Sequence, residues 1–135
     1  MYPIFVVALG TGMRIGEILG LTWDCVDFDN RVITVKQTLA YLPGDGHNAQ
    51  YEFHQPKTQA GFRKIPMIKK VYDVLAYQQT YRKDIATRFS PREGFENLVF
   101  TSKTNNPINA ANVKDSINYI VARINRENPD QFLNI

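Results

Sequence analysis

"ALGTGMRIGEILGLTWDCVDFDNRVITV", residues 8–35, decides how the rest of the chain is read. It breaks at a Gly-Thr-Gly run, continues through a short periodic stretch, and ends in alternating residues after an acidic turn. Ile15, Ile18 and Leu19 recur at helical spacing, so a helix is expected there, with Thr11 as its N-cap. Gly12, Gly16 and Gly20 fall every fourth residue. An interior glycine costs a helix about 1 kcal/mol against alanine, so such a stripe points to another backbone passing close by. "FDNR" reads as a turn, and "RVITVKQTL" alternates as a strand does.

Upstream of this block, residues 3–10 read as a short apolar helix. Downstream, "PGDGHNAQ" is a loop tip and "YEFHQ" a second strand. "FRKIP" is a third strand after a bend at Lys57–Gly61, stopped by Pro66, which cannot donate to a ladder. Residues 67 to about 88 form a long amphipathic helix with Val71, Val74, Leu75 and Ile85 directed to the core. "SPREG" breaks it, "NLVFTS" is a short buried strand or extended segment, and "TNNPIN" turns. Residues 110–127 make a last helix carrying Val113, Ile117, Ile120, Val121 and Ile124. The expected fold is α+β, mainly helical with a three-stranded antiparallel sheet.

The 135 residues are enough for one domain, and the 44% apolar content is enough for a core. A net charge of +3 permits an anionic partner without demanding one. Cys25 is the single cysteine, which excludes an internal disulfide and points to a reducing compartment, the cytoplasm. The longest apolar run, "IFVVAL", is too short to span a bilayer, so no membrane partner is expected. Both ends read as cut: the chain is apolar from its start, and Phe132 and Leu133 stand just before its end. The other reading is that these two residues dock back on the body.

Two places could carry chemistry. Arg14, read in the first turn of its helix, is a cation where the helix dipole disfavours one. Glu17, three residues on, could be its partner; so could a phosphate, since arginine offers a fork of donors. The second place is "PKTQAGFRKIPM", residues 56–67, with three bases and no acid. Lys57 at its bend is either a solvated lysine or, with Arg63 and Lys64, part of a basic finger for a nucleic-acid groove. His47 and His54 have no metal-ligand spacing with each other or with Cys25, which reads as a core residue near Trp23. Tyr72, Tyr77, Tyr81 and Tyr119 fall on helices and read first as packing.

Taken together, "ALGTGMRIGEILGLTWDCVDFDNRVITV", the lysine in "PKTQAGFRKIPM", and "LVFTSKTNNPIN" before a helix resemble the catalytic domain of tyrosine recombinases, the integrases of phages and conjugative transposons. The resemblance covers nearly the whole chain. It implies that Arg14 binds the scissile phosphate of double-stranded DNA, that Glu17 helps hold the site together, and that Lys57 protonates the leaving 5′ hydroxyl. Thr58, Arg63 and Lys64 would contact backbone phosphates. It also implies a tyrosine nucleophile forming a 3′-phosphotyrosyl link, no metal or other cofactor, and a homo-oligomer, a tetramer, on DNA. The sequence departs from the family where it ends: the His-x-x-Arg block and the nucleophilic tyrosine are not in it. Residues 1–135 are therefore expected to be the first part of a catalytic domain, inactive alone. A non-catalytic DNA-binding module, a type IB topoisomerase-like domain and a plain helical interaction module are the rival readings.

Overall fold

The structure is a computed structural model that describes residues 1–44, 50–131, 133 and 134. The apolar opening forms helix α1, Tyr2–Thr11, with a proline in its first turn. Gly12 ends it in the left-handed region (φ 68°) and donates its N–H to Ala8 O at 3.0 Å. Thr11 is therefore the last residue of α1 rather than the N-cap of the next helix: its hydroxyl donates back to Val7 O at 2.6 Å. Helix α2 is short, Ile15–Leu19, and Arg14 is its N-cap.

Among the described residues five strands follow: β1 Val26–Asp27, β2 Val32–Val35, β3 Thr38–Leu42, β4 Gln50–His54 and β5 Arg63–Pro66. A three-stranded antiparallel sheet is present, but its order is β1-β2-β5. The "YEFHQ" strand is not in it; β4 pairs with β3 in a separate two-stranded ladder. The reason is a break inside "RVITVKQTL", which is two strands and not one. At the break Lys36 Nζ reaches Asp24 Oδ2 (2.7 Å) and Gln37 Nε2 donates to Gly20 O (2.9 Å), pinning the bend to the α2–β1 segment. The two ladders run in succession along one long hairpin. Val35 pairs with Arg63 and Thr38 with His54, so residues 55–62 on the returning arm stand opposite residues 36–37 alone. Lys57 sits on this bulged-out loop, not at a turn between two paired strands.

Helix α3, Lys69–Arg88, directs Val71, Val74, Leu75 and Ile85 inward, and all four are buried. Two polar residues share that buried face. Gln78 Nε2 donates to Val99 O (3.0 Å), while Arg82 donates to Leu98 O (3.1 Å) and Asn105 Oδ1 (2.5 Å). They stitch the extended "LVF" segment, which is fully inside, to the helix. Helix α4, Ala110–Glu127, is capped by Asn109, whose side chain accepts from Ala111 N at 3.0 Å. Of its apolar residues Val113 is buried, while Ile120 is 42% exposed.

The core lies where α1, α2, the sheet and α3 meet, around Val7, Ile18, Leu19, Ile33, Val35, Val71 and Leu75. Cys25 belongs to it. Tyr72 packs edge-on against Phe28 (5.4 Å between ring centroids), but Tyr77 and Tyr119 do not pack: they are 65% and 66% exposed. Leu133 is tied by its backbone to Asn125, with bonds of 2.7 and 2.8 Å, and its side chain stays partly exposed; Phe132 lies outside the described residues.

Candidate nucleic-acid interface

The glycine stripe explains how the site is assembled. A Cβ on Gly20 would stand 2.7 Å from Leu39 N, and one on Gly16 would stand 3.6 Å from Leu39 O. The backbone of β3 thus passes directly over α2 and brings the hairpin against the Arg14–Glu17 helix. Gly12 acts differently, supplying the positive φ that turns the chain from α1 into α2 within three residues.

Glu17 is the centre of the cluster. Only 4% of its side chain is exposed, and it accepts from three donors. Arg63 grips it in a fork, Nη1 to Oε1 at 3.0 Å and Nη2 to Oε2 at 2.9 Å. The backbone N–H of Arg14 donates to Oε2 at 2.8 Å. This last bond is half of a capping box; arginine has no acceptor with which to return it. The Arg63 fork, then the Arg14 N–H and the charges of both arginines, hold the Glu17 carboxyl below its usual range against the opposing effect of burial. The same fork raises Arg63.

Arg14 is in a different state. Its guanidinium touches Glu17 only loosely, Nη1 to Oε1 at 3.6 Å, and 82% of its side chain is exposed. A cavity of about 410 Å³ lies in front of it, lined by Gly12, Arg14, Thr58, Ala60, Gly61 and Arg63. The far wall is the 55–62 loop, closed on itself. Gly61 N donates to Thr58 O (3.1 Å), and a Cβ on Gly61 would fall 2.2 Å from Pro56 Cβ.

The structure therefore brings Arg14, Thr58 and Arg63 together around one opening, with Glu17 buried behind the two arginines. Lys57 is next to Thr58 on the cavity wall's loop, exposed, with no hydrogen bond or ion pair among the described residues. Lys64 is apart from them. Strand alternation turns it to the face of β5 opposite Arg63, where its charge is felt by Asp27. His54 bonds Glu52 at 3.1 Å, and His47 lies outside the described residues. Among the described residues no group of three His, Cys, Asp or Glu side chains could hold a metal ion, and no helix is long and apolar enough to cross a membrane.

Residues 2–132 match the model of the phage integrase family. The chain belongs to this family. Among integrase relatives, the transposase of transposon Tn916 from Enterococcus faecalis is 28% identical over 99% of this chain and 32% of its own length. A XerC-like tyrosine recombinase of Caldanaerobacter subterraneus is 25% identical over 89% of this chain and 32% of its own length. The chain spans about a third of the length of these relatives. Among solved structures, the integrase of transposon Tn1549 in complex with transposon right end DNA superposes with a TM-score of 0.76 at 35% identity, over 93% of this chain and 38% of that one. The same integrase with circular intermediate DNA gives a TM-score of 0.78 at 32% identity, over 98% of this chain and 41% of that one. The α+β fold with its small antiparallel sheet is thus that of an integrase catalytic domain.

Proposed function

We propose that this chain is part of a tyrosine-type site-specific recombinase acting on double-stranded DNA, and that Arg14 holds the phosphate to be cut. The observation that carries this is the contrast between the two arginines on Glu17. Arg63 is committed to the carboxylate, while Arg14 presents an exposed guanidinium to an open cavity. A fork of donors that is placed in advance and held only loosely by Glu17 suits the spread charge of a pentacoordinate phosphorane. The integrase structures that this chain superposes on hold DNA, which supports the choice of partner.

In the reaction proposed, a tyrosine oxygen attacks phosphorus and the P–O5′ bond breaks. The 3′ phosphate remains on the tyrosine, and the departing 5′ oxygen takes a proton. Lys57 is the donor: it has no partner among the described residues, is exposed, and stands on the loop that walls the cavity. Thr58, on the same wall, and Lys64, on the outer face of β5, would contact flanking phosphates. Among the described residues no tyrosine lines the cavity. In this proposal the nucleophile and the His-x-x-Arg block belong to the part of the relatives' length that residues 1–135 do not span, these residues being the first part of the catalytic domain. By itself the segment would bind DNA without cutting it. The complete recombinase would work as a homo-oligomer, a tetramer, on its DNA.

The test is leaving-group chemistry in the full-length recombinase. Lys57→Ala should slow cleavage about 10²–10⁴-fold, the range for a lost general acid. A substrate with sulfur in place of the bridging 5′ oxygen needs no proton, and should restore most of that loss. Arg14→Ala should not be rescued by sulfur. Failure of sulfur to rescue Lys57→Ala would remove Lys57 from the acid's role. Normal cleavage by Arg14→Ala would overturn the phosphate assignment.

A further inference from the structure

We infer that Arg63 is a positioning residue that keeps Arg14 available to phosphate by occupying Glu17. The inference rests on the proposed role of Arg14 and adds a role for Arg63 that is not direct DNA contact.

Two cations compete for a single carboxylate. Glu17 is buried and charged, so it will take the best cation within reach. Two guanidiniums are within reach. Arg63 crosses from β5 with both terminal nitrogens at 2.9–3.0 Å, one on each oxygen. Arg14, three residues away in sequence, is at 3.6 Å from Oε1. With each oxygen taken by Arg63, and Oε2 also accepting from Arg14 N, little remains to draw the Arg14 side chain inward. Remove Arg63 and the nearest replacement is Arg14 itself. It would fold onto Glu17, and the donors aimed at the cavity would be lost. Arg63 pairs with Val35 in the sheet and directly follows the 55–62 loop, so the clamp also fixes that wall of the cavity relative to Arg14.

Salt dependence of DNA binding separates this role from direct contact, because it counts phosphates neutralised rather than net charge. Each contact contributes about −0.9 to the slope of log affinity against log salt. Binding of the chain to labelled duplex DNA would be followed by fluorescence anisotropy across a salt series for four variants. Arg14→Ala should lose about 0.9 of slope. Arg63→Ala should lose the same amount, because Arg14 is captured. Arg63→Ala combined with Glu17→Gln should return to the wild-type slope: the amide put in place of the carboxylate can still accept from Arg14 N but carries no charge to capture the guanidinium. Glu17→Gln alone, which leaves no carboxylate to capture Arg14, should not fall below the slope of the double variant, and a lower slope would overturn the inference. The double variant has no unpaired buried charge, so it decides the matter even if Arg63→Ala alone fails to fold, which circular dichroism would show. If the double variant stays one contact short of wild type, Arg63 touches phosphate directly and the inference is overturned. If Arg14→Ala keeps the full slope, it is the phosphate role of Arg14 that has failed.

Discussion

Glu17 links the protonation state of one buried group to the geometry of the whole site. Its carboxyl is held below the ordinary value of 4.5, first by the Arg63 fork. A group depressed in this way stabilises the fold fully at neutral pH, and that contribution is lost as pH falls below 4.5 and through the lowered folded value. Asp24 behaves alike: the Lys36 ammonium holds it at about 2 against an ordinary 3.8. Stability measured by urea denaturation should therefore decline below pH 4.5 and keep declining toward pH 2. Glu17→Gln should flatten the upper part of that decline, and an unchanged profile would mean that Glu17 titrates normally. Glu17→Ala should cost about 2 kcal/mol at pH 7, below the usual range for a broken buried pair because Arg63 is a third exposed. The nearness of Arg14 and Glu17 is legible in the sequence, since three residues apart on a helix means neighbours. The pairing with Arg63 is not, because nothing in sequence spacing joins positions 46 apart. The usable signal is indirect: an acid on the buried side of a short helix must find a cation, and Arg63 shares the inward face of its strand with Ile65.

At the level of elements, helices are readable where apolar period and punctuation agree, as in α3 and α4. Strands are readable as segments but not as partners. "RVITVKQTL" reads as one strand with Ile33, Val35 and Leu39 on one face, interrupted only at Gln37, yet Lys36 and Gln37 are drawn away by Asp24 and Gly20 O, contacts that depend on α2 being packed beneath. The cap of α2 escapes a sequence reading for a related reason: Thr11 satisfies the usual N-cap pattern, but the positive φ available to Gly12 ends α1 first. The glycine stripe does mark a close approach at two of its three positions, and the two differ in a testable way. On Gly20 a methyl group would meet the Leu39 N and Thr38 C backbone atoms at 2.7 and 3.0 Å, which cannot yield without moving β3. Gly20→Ala should therefore destabilise by about 1–3 kcal/mol, as overpacking does. On Gly16 the nearest atom is at 3.6 Å, an ordinary contact, so Gly16→Ala should be neutral or gain up to about 1 kcal/mol of helix propensity. Thermal melts of the two single variants would check the contrast, and equal effects would mean that β3 does not lie on α2 as described.

Across the whole molecule, burial is uneven. The core between α1, α2, the sheet and α3 is closed, whereas among the described residues two apolar surfaces beside it stay open. One is a groove of about 760 Å³ whose walls include Tyr2, Ile4, Val74, Tyr77, Phe100 and Ile108. The other is the apolar stripe of α4, where Ile117, Val121 and Ile124 are only partly covered and Ile120 is exposed. A helix with such a stripe gains most of its stability by burying it, and here burial stops at Val113. Contiguous apolar surface of this kind drives association in water, while a net charge of +3 offers little repulsion to oppose it. The chain should therefore associate reversibly as its concentration rises, with a weight-average sedimentation coefficient that grows across a dilution series. Ile120→Lys should weaken that association without lowering the melting temperature, because the side chain it replaces already faces solvent. Tyr77→Lys should do the same if the groove takes part, and have no effect if α4 acts alone. A single concentration-independent monomer would show that the open stripe and groove are tolerated by the isolated chain, and the case for association from unburied surface would then fail.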